Sequence, residues 1–325
     1  MGEAVSALTT PVALVVFNRP STTARVLAAI RKARPPQLFV IGDGARDRPE
    51  RARVERVREI VEESVDWGCE VFTDYSDVNL GPITRVASGL DWVFGTVDRA
   101  IILEDDTVPD PSFFRFCQEL LEYYEDDPRV MHIAGSNLHW GKQFDDASYW
   151  FSKYVIPPWG WASWRRAWAH YDVDLEGLPQ FKKERGVASI FKYRVEQMHR
   201  LRQFEAIYEG RGTSWDMQWQ YCVAANDGLA VCPRVNLIHN TGHGQEATRT
   251  VVTNKRVERN QASEMMFPLI HPADVAVNEK ADRHHFYRNV LQRNVSFLVR
   301  HYCPASVTKV LRWLYRSCGG STSVG

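Results

Sequence analysis

The chain reads Ala100-Ile101-Ile102-Leu103-Glu104-Asp105-Asp106, four apolar residues followed by three acids. The apolar run predicts a buried strand, and acids directly after it are costly because like charges repel and burial disfavours ionised carboxylates. A divalent cation such as Mg²⁺ or Mn²⁺ would remove both costs, since it binds carboxylate oxygens and completes its shell with substrate phosphates. A solvated acidic turn is the alternative. Both interpretations stay open on position alone, although open α/β sheets bind ligands at the carboxyl ends of their strands.

Outward from this strand, the first half of the chain alternates short β-rich runs with amphipathic helical patterns. Strands are predicted at residues 11–17, 38–41, 69–73, 99–103 and 130–134. Helices are predicted between them, and Asp110-Pro111 begins the helix after the acids with a capping side chain and a proline in the first turn. This rhythm predicts a doubly wound α/β domain, whose mostly parallel sheet is covered by helices on both faces.

The composition of the 325-residue chain is that of a soluble globular protein, and its formal net charge is zero. Nucleic acid is therefore not an expected partner. The six cysteines show no CxxC pair or close metal-ligand spacing, and they are predicted to be reduced, buried thiols of an intracellular protein. Neither a signal peptide nor a bilayer-spanning apolar run is visible, so a cytoplasmic location is predicted.

The chain becomes basic towards its C-terminus. No acid follows Asp282, whereas arginines and lysines continue and alternate with apolar residues such as Trp313 and Leu314. This pattern predicts either an interfacial helix on an anionic membrane surface or a helix packed on the domain with a solvated basic face. The first alternative would make the protein peripheral on the inner face of the membrane.

Polar residues follow each predicted strand of the first half. They are Asn18 and Arg19 after the first strand, Asp43 after the second, Asn79 and Arg85 after the third, and the three acids after the fourth. Each alone is weak evidence because Asn, Asp and Gly are common in turns, and for Asp43 the turn interpretation is favoured over base recognition. Four in succession at one edge of a sheet predict a nucleotide site. The sequence has no GxGxxG or Walker loop, which argues against a dinucleotide-dependent hydride enzyme and a P-loop phosphotransferase.

The run from Ile101 to Phe114 resembles the metal-binding region of GT-A glycosyltransferases. It is similar to that of inverting enzymes of the N-acetylglucosaminyltransferase I type, whose Glu-Asp-Asp precedes a similar Pro-x-Phe-Phe helix, and more loosely to family 2-like nucleotide-sugar transferases. The resemblance implies a GT-A fold in which Asp106 binds Mn²⁺ or Mg²⁺. It also implies that Glu104 and Asp105 face the donor sugar and ribose.

The resemblance extends loosely over residues 11–250. Pro158-Trp159-Gly160-Trp161 is similar to the family's Pro-Gly-Leu-Gly-Trp segment, and Trp215-Asp216 resembles its Trp-Asp pair, in which the Asp is the catalytic base. Pro233-Arg234 and the glycine-rich loop up to Thr248 resemble its donor-closing loop, and the resemblance implies His243 as a further metal ligand. Nothing comparable covers the basic tail.

Sugar transfer from a nucleotide sugar requires the same groups, a metal site and a carboxylate base. Transfer from a nucleotide sugar passes through an oxocarbenium-like transition state, and a metal that stabilises the leaving diphosphate replaces a general acid. The attacking hydroxyl needs a carboxylate base. Asp216 is predicted for that role, with Asp227 and Asp172 as alternatives, although Asp216 is equally well placed to cap a helix. Arg249 is predicted to contact the diphosphate.

Tryptophans crowd the middle of the chain. A tryptophan is more often a core residue than a ligand contact, because of the large area that each ring buries. Sugars, however, present apolar C–H faces that stack on indole rings. Trp159, Trp161 and Trp215 are therefore predicted to line the acceptor site, with Trp159 the best candidate because Pro158 and Gly160 flank it.

These patterns together predict one GT-A domain in two halves and a tail. Residues 1–140 would bind the donor, residues 141–275 would bind the acceptor and supply the base, and residues 276–325 would form a basic amphipathic helical tail. The expected activity is transfer, with inversion, of a sugar from a nucleotide diphosphate sugar, with a UDP-sugar as the expected donor, to a hydroxyl of a glycan or glycolipid acceptor.

Two other functions stay open at this stage. A sugar-1-phosphate nucleotidyltransferase would need a glycine-rich loop after the first strand, where this chain reads Phe17-Asn18-Arg19-Pro20. A non-catalytic carbohydrate-binding protein of the same fold would show no metal-dependent nucleotide binding.

Overall fold

A computed structural model describes residues 7–155, 158–212, 214–242 and 260–291. The strands are β1 (Val12–Val16), β2 (Gln37–Gly42), β3 (Glu70–Tyr75), β4 (Arg99–Glu104), β5 (Thr107–Pro109), β6 (Val130–Ala134), β7 (Tyr149–Ser152), β8 (Trp161–Trp164), β9 (Leu229–Pro233) and β10 (Ile238–Asn240). The α-helices are α1 (Pro20–Ala33), α2 (Arg48–Ser64), α3 (Gly81–Thr96), α4 (Pro111–Tyr123), α5 (Arg165–Trp168), α6 (Leu178–Glu184), α7 (Arg194–Tyr208), α8 (Asp216–Ala225) and α9 (Glu279–His285). A 3₁₀ turn spans Val187–Ser189, and a π-helical stretch follows α9 at Phe286–Leu291.

An eight-stranded sheet runs through the molecule in the order β3-β2-β1-β4-β8-β6-β9-β7. β1, β2, β3 and β4 are parallel, and β6 is parallel to β9. β8 lies antiparallel between β4 and β6, and β7 is antiparallel to β9 at the edge. The carboxyl ends of β1, β2, β4, β6 and β9 therefore meet at one edge, with strands from both sides of residue 140 in the same sheet.

Helices cover both faces because side chains alternate along each central strand. On one face, Leu14 and Leu103 pack with apolar residues of α1, α2 and α4. On the other, Ala13 and Ile102 pack with residues of α3 and of α5 to α8. All four strand residues are fully buried. The predicted α/β class, with a Rossmann-like, mostly parallel sheet between two helical layers, is confirmed.

A small second sheet lies beside the carboxyl end of β4. β10 pairs antiparallel with β5, so that Asn240 lies opposite Thr107, immediately after the three acids. The Thr241 amide and hydroxyl both donate to the carbonyl oxygen of Asp106, at 2.8 and 3.1 Å. This pairing brings residues more than a hundred positions apart in sequence against the end of β4.

The C-terminal prediction is only partly within the described residues. α9 and the π-helical stretch are described, whereas residues 292–325, which carry most of the predicted basic tail, lie outside. Within the described part of the chain, no helix combines the length and the apolar character needed to cross a bilayer. Cys117, Cys222 and Cys232 are buried free thiols, and Cys69 is a half-buried one.

Candidate active site

A cavity of about 380 Å³ opens at the carboxyl edge of the sheet. It is bounded by the loops after β1, β2 and β3, by the end of β4, by the start of α8 and by the end of β10. Its lining includes ten of the residues predicted from the sequence, namely Arg19, Asp43, Asn79, Arg85, Glu104, Asp105, Asp106, Trp159, Trp215 and Asp216. Topology thus gathers side chains that span two hundred positions of sequence.

Among the described residues, Arg19 forms ion pairs with two of the three acids in this cavity. The Arg19 guanidinium lies 2.6 Å from Oδ1 of Asp105 and forms a second ion pair with Oδ2 of Asp106. The backbone N–H of Phe17 donates to Oδ2 of Asp105 at 3.1 Å. Oδ1 of Asp106 is buried and has no hydrogen-bond partner among the described residues. An unpaired buried carboxylate oxygen is costly, and it marks a place where a cation would be stabilised.

Burial is the main influence on the ionisation of Glu104 and Asp105. Burial raises the pKa of Glu104 to about 8, and the nearby charge of Asp106 adds to this rise. Burial likewise raises the pKa of Asp105 to about 6, against the lowering effect of Arg19. Burial alone would lower the pKa of Arg19, but the charges of Asp105 and Asp106 outweigh it and raise that pKa. The charge of Arg19 therefore does not offset the effect of burial on Glu104 and Asp105.

The described residues of the site suit a metal that shares its coordination with substrate. In the described ranges, no three His, Cys, Asp or Glu side chains are grouped as a self-contained metal site. Mg²⁺ and Mn²⁺ need no such cage, because one or two carboxylates suffice when phosphates and waters supply the other oxygens. Asp106 offers the oxygen for this role. His243 and Arg249, the other predicted ligands of metal and diphosphate, lie outside the described residues.

Residues 240–242, at the end of β10 and just after it, form a roof over the acids. Gly242 lies so close to Asp106 that a Cβ added there would overlap its carboxylate. A glycine is therefore required by close approach. The resemblance had implied that the glycine-rich loop around His243 closes over the donor, but neither Asn240 nor Gly242 was predicted individually, since nothing in the local sequence shows that β10 pairs with β5.

Asp43, Asn79 and Arg85 line the cavity but are engaged in building its wall. The Asp43 carboxylate accepts hydrogen bonds from the backbone N–H groups of Leu80 and Gly81, at 2.9 and 3.0 Å, and from Asn79 at 3.0 Å. Arg85 donates to the carbonyl oxygens at the ends of β2 and β3. These contacts fit the turn interpretation of Asp43 and leave its oxygens little capacity for a nucleotide base.

Asn18 is placed differently from its prediction as a donor-binding residue. Its side chain is buried and donates to Glu50 at the start of α2, and it does not line the cavity. Glu50 also pairs with Arg46, which holds the pKa of Glu50 down at about 2. Arg46 itself lies over the Phe17 ring, 5.3 Å from its centroid, and lines the cavity. Arg46 was not predicted as a site residue. The signal that the sequence offered for it was a basic residue three positions after Asp43.

The three predicted tryptophans have two different positions: two line the cavity, and one lies beneath the lining. Trp159 and Trp215 line the cavity, whereas Trp161 is fully buried and stacks beneath Trp215 with ring centroids 5.7 Å apart. The acceptor contact predicted for Trp161 is therefore corrected, because a ring with no exposed surface supports its neighbour and cannot touch a ligand. The Tyr171 hydroxyl also donates to the carbonyl oxygen of Trp215 at 3.2 Å.

Asp216 is the first residue of α8 and faces the same cavity. The residue at the N-cap position is Trp215, with no side-chain capping hydrogen bond, so the alternative in which Asp216 caps the helix does not apply. The Ser214 hydroxyl donates to Asp216, and the charge of Asp216 contributes to the raised pKa of Glu104. The two alternative bases lie elsewhere: Asp172 accepts backbone N–H groups of its own loop, and Asp227 pairs with Arg185 at the surface.

Comparisons with known proteins add little. No family model and no curated protein matches the chain. Among solved structures, one titled "The Crystal Structure of UDP-glucose pyrophosphorylase complexed with UDP-glucose" is similar with a TM-score of 0.34 and 7% identity, over 69% of this chain and 90% of that chain. Similarity at this level does not indicate a shared function.

Proposed function

We propose that the protein is a divalent-metal-dependent glycosyltransferase of the GT-A type, which transfers a sugar from a nucleotide diphosphate sugar to a hydroxyl with inversion. The observation that carries the proposal is that one cavity contains both an Asp106 oxygen beside Arg19, without a hydrogen-bond partner in the described part of the chain, and the separate carboxylate of Asp216. The first group suits a metal–diphosphate leaving group, and the second suits a base for the attacking hydroxyl.

Each residue has a definite task in this mechanism. A divalent ion held by Asp106 would supply positive charge to the leaving diphosphate. Arg19 adds a second positive charge at the same place. Asp216 accepts the proton of the acceptor hydroxyl as that oxygen attacks the anomeric carbon. The bond from this carbon to the diphosphate oxygen breaks, and its electron pair leaves with the nucleotide. Displacement from the opposite face in one step gives inversion.

The test is a thermal-shift screen of nucleotide diphosphates and their sugars, with and without Mn²⁺. A ligand that binds the native state at a hundred times its Kd stabilises it by about 2.7 kcal/mol, so metal-dependent binding is expected to raise Tm. Asp106→Asn should remove the metal dependence. Asp216→Asn should keep the shift but lower sugar transfer, or hydrolysis of the donor, by about 10²-fold or more.

The matched control for Asp216→Asn is Asp227→Asn, because Asp227 forms an exposed ion pair away from the cavity. It should leave both binding and turnover unchanged. Absence of a metal-dependent shift with every nucleotide sugar would contradict the proposal. Release of pyrophosphate from a nucleoside triphosphate and a sugar 1-phosphate would instead favour the nucleotidyltransferase.

A further inference from the structure

A second and larger cavity lies further along the same sheet edge. It has a volume of about 650 Å³ and is lined by residues that follow β6 and β9, by the described residues from 260 onward and by the π-helical stretch. This volume is within the range of small-molecule sites. Arg234, from the segment that resembles the donor-closing loop, lines it, but none of the residues predicted to contact the donor directly or to act as the base is among its described lining residues.

The described lining of this cavity is positively charged and rich in amides. It includes the guanidinium groups of Arg234 and Arg288 and the amides of Asn137, Gln143 and Asn260, and no described lining residue is a carboxylate. Arg234 is held in place by Gln143 and by the carbonyl oxygen of Asp146, the latter at 2.9 Å. These two bonds use two of its five N–H donors, so a fixed guanidinium keeps donors for a ligand.

The amides form a rigid wall. The backbone N–H of Asn137 donates to Oδ1 of Asn236 at 3.0 Å, and Nδ2 of Asn260 donates to the carbonyl oxygen of Asn137 at 2.9 Å. Asn137 and Asn236 are nearly fully buried. A wall that is ordered before a ligand arrives reduces the entropic cost of binding.

Trp140 supplies an aromatic face at the cavity. Its backbone has a φ of 59°, a left-handed conformation that is costly for a bulky residue. Its indole N–H donates to Oδ1 of Asn289 at 3.2 Å, which fixes the ring. Backbone strain that is maintained around an oriented ring is frequent at binding sites. An indole ring beside amide donors suits a sugar, which has both apolar C–H faces and hydroxyl groups.

The two cavities are neighbours. The Ser136 hydroxyl donates to the carbonyl oxygen of Trp159 at 3.0 Å. Trp159 lines the first cavity, and Asn137, which follows Ser136, lines the second. The segment from Asn236 to Asn240 likewise joins them, with one end in each lining. The two linings are thus connected by one hydrogen bond and by one segment of the chain.

We infer that the second cavity binds a saccharide that carries a carboxylate or phosphate group, with its anion at Arg234 and Arg288 and a sugar ring beside Trp140. That this saccharide is the acceptor rests on the proposed function. Its binding does not, because the residues concerned are separate from those that would bind the donor.

The experiment is isothermal titration of the full chain without nucleotide, using three probes. These are a glucuronate-containing disaccharide, the same disaccharide with glucose in place of the uronate, and glucose 6-phosphate; inorganic phosphate serves as a reference. At least one anionic sugar should bind roughly tenfold more tightly than the neutral disaccharide, because charge-assisted hydrogen bonds are about twice as strong as neutral ones. The preferred anion identifies carboxylate or phosphate as the group recognised.

Arg234→Gln and Arg288→Gln should each weaken that binding about tenfold. Arg288 is exposed, so its variant tests the inference even if Arg234→Gln fails to fold. Arg211→Gln, at an exposed arginine elsewhere, is the control and should bind like the wild type. Binding of UDP with Mn²⁺ in the same preparation reports separately on the proposed function.

Four results would overturn the inference. The folded wild type could bind none of the saccharides, the neutral disaccharide could bind as tightly as the anionic sugars, or both arginine variants could bind the anionic sugar unchanged. Inorganic phosphate that binds as tightly as glucose 6-phosphate would equally exclude recognition of the sugar.

Discussion

Arg19, Asp105 and Asp106 form an ion cluster with little access to solvent, their side chains being 14%, 2% and 11% exposed. The loss of one partner from such a cluster leaves the others charged and unpaired, which typically costs about 3–5 kcal/mol. A cation from solution can replace the lost guanidinium if it fits the same oxygens. The stability of the cluster would therefore measure the proposed metal binding without depending on turnover.

We predict that Arg19→Ala lowers the free energy of unfolding by about 3 kcal/mol without metal. Millimolar Mn²⁺ should restore much of this loss, and the Mn²⁺-induced rise in Tm should be larger in the variant than in the wild type. Differential scanning fluorimetry with and without EDTA measures both effects. Arg31→Ala, which removes an exposed ion pair with Asp66, should cost no more than about 1 kcal/mol and show no response to Mn²⁺. An Arg19→Ala variant that Mn²⁺ does not stabilise would argue against a metal at Asp106.

The sequence did not allow us to predict the direction in which individual side chains point. Asn18 and Arg19 are adjacent and follow the same strand, yet Arg19 faces the acids whereas Asn18 faces Glu50. Trp159 and Trp161 are separated by one residue, yet only Trp159 lines the cavity. Motif position predicts which segment reaches a site, but the packing of neighbouring elements decides which side chain enters it.

At the scale of elements, the pairing of β10 with β5 determines how the acids are covered. The pairing continues into Thr241, whose amide bonds the carbonyl oxygen of Asp106, and leaves Gly242 against the Asp106 carboxylate. The space between Gly242 and the Asp106 carboxylate is too small for a side chain at position 242. The roof and the acids therefore act as one structural unit.

Gly242→Ala should accordingly displace either Asp106 or the end of β10, and we expect it to reduce Mn²⁺-dependent nucleotide binding about tenfold or more, the effect of a shift in ligand geometry. Titration calorimetry with UDP and Mn²⁺ measures the change. Gly95→Ala is the matched control, because its Cβ would meet no atom within 4 Å and alanine is the better helix former. Equal affinity in both variants would show that the roof does not constrain the acids.

The elements of the first half could be predicted because their signals are local. β1, β2 and β4 are continuous apolar runs that end in polar residues, and Asp110 caps α4 through the Ser112 amide as expected. β7 and β8 could not be recognised, since each is four residues long and buried on both faces, without the alternation that marks an exposed strand. Their tryptophans and tyrosine instead resembled a loop cluster.

The stability of the whole molecule should depend on pH through Glu196 of α7. This carboxyl is fully buried, and the Tyr154 hydroxyl donates to it at 2.8 Å. Burial raises its pKa to about 7, partly offset by Arg200, with the charge of Asp282 adding to the rise. The folded state thus keeps this proton to a higher pH than the unfolded chain, so the stability it confers is complete below about pH 4.5 and is lost as pH rises through 7.

We predict that Glu196→Gln, which cannot ionise, reduces the fall in unfolding free energy between pH 5 and pH 8 by about 2–3 kcal/mol. Urea unfolding at four pH values across this range measures the slope. Asp282, whose pKa burial raises to about 6, contributes in the same direction to both proteins. Glu209→Gln, at an exposed site, should leave the wild-type slope unchanged. Parallel slopes for wild type and Glu196→Gln would contradict the assignment.

The position of β8 has a consequence for how the chain folds. β4 and β6 are close in sequence but do not touch in the sheet, because β8 inserts between them and β9 then binds the other side of β6. β6 therefore has neither partner until Trp164 and later Pro233 have been synthesised. Long-range pairings of this kind form slowly and leave strand edges exposed meanwhile. A nascent chain that stops before β9 would carry an unprotected apolar strand, which makes the interval between β6 and β9 the one in which aggregation is most favoured and chaperone binding most useful.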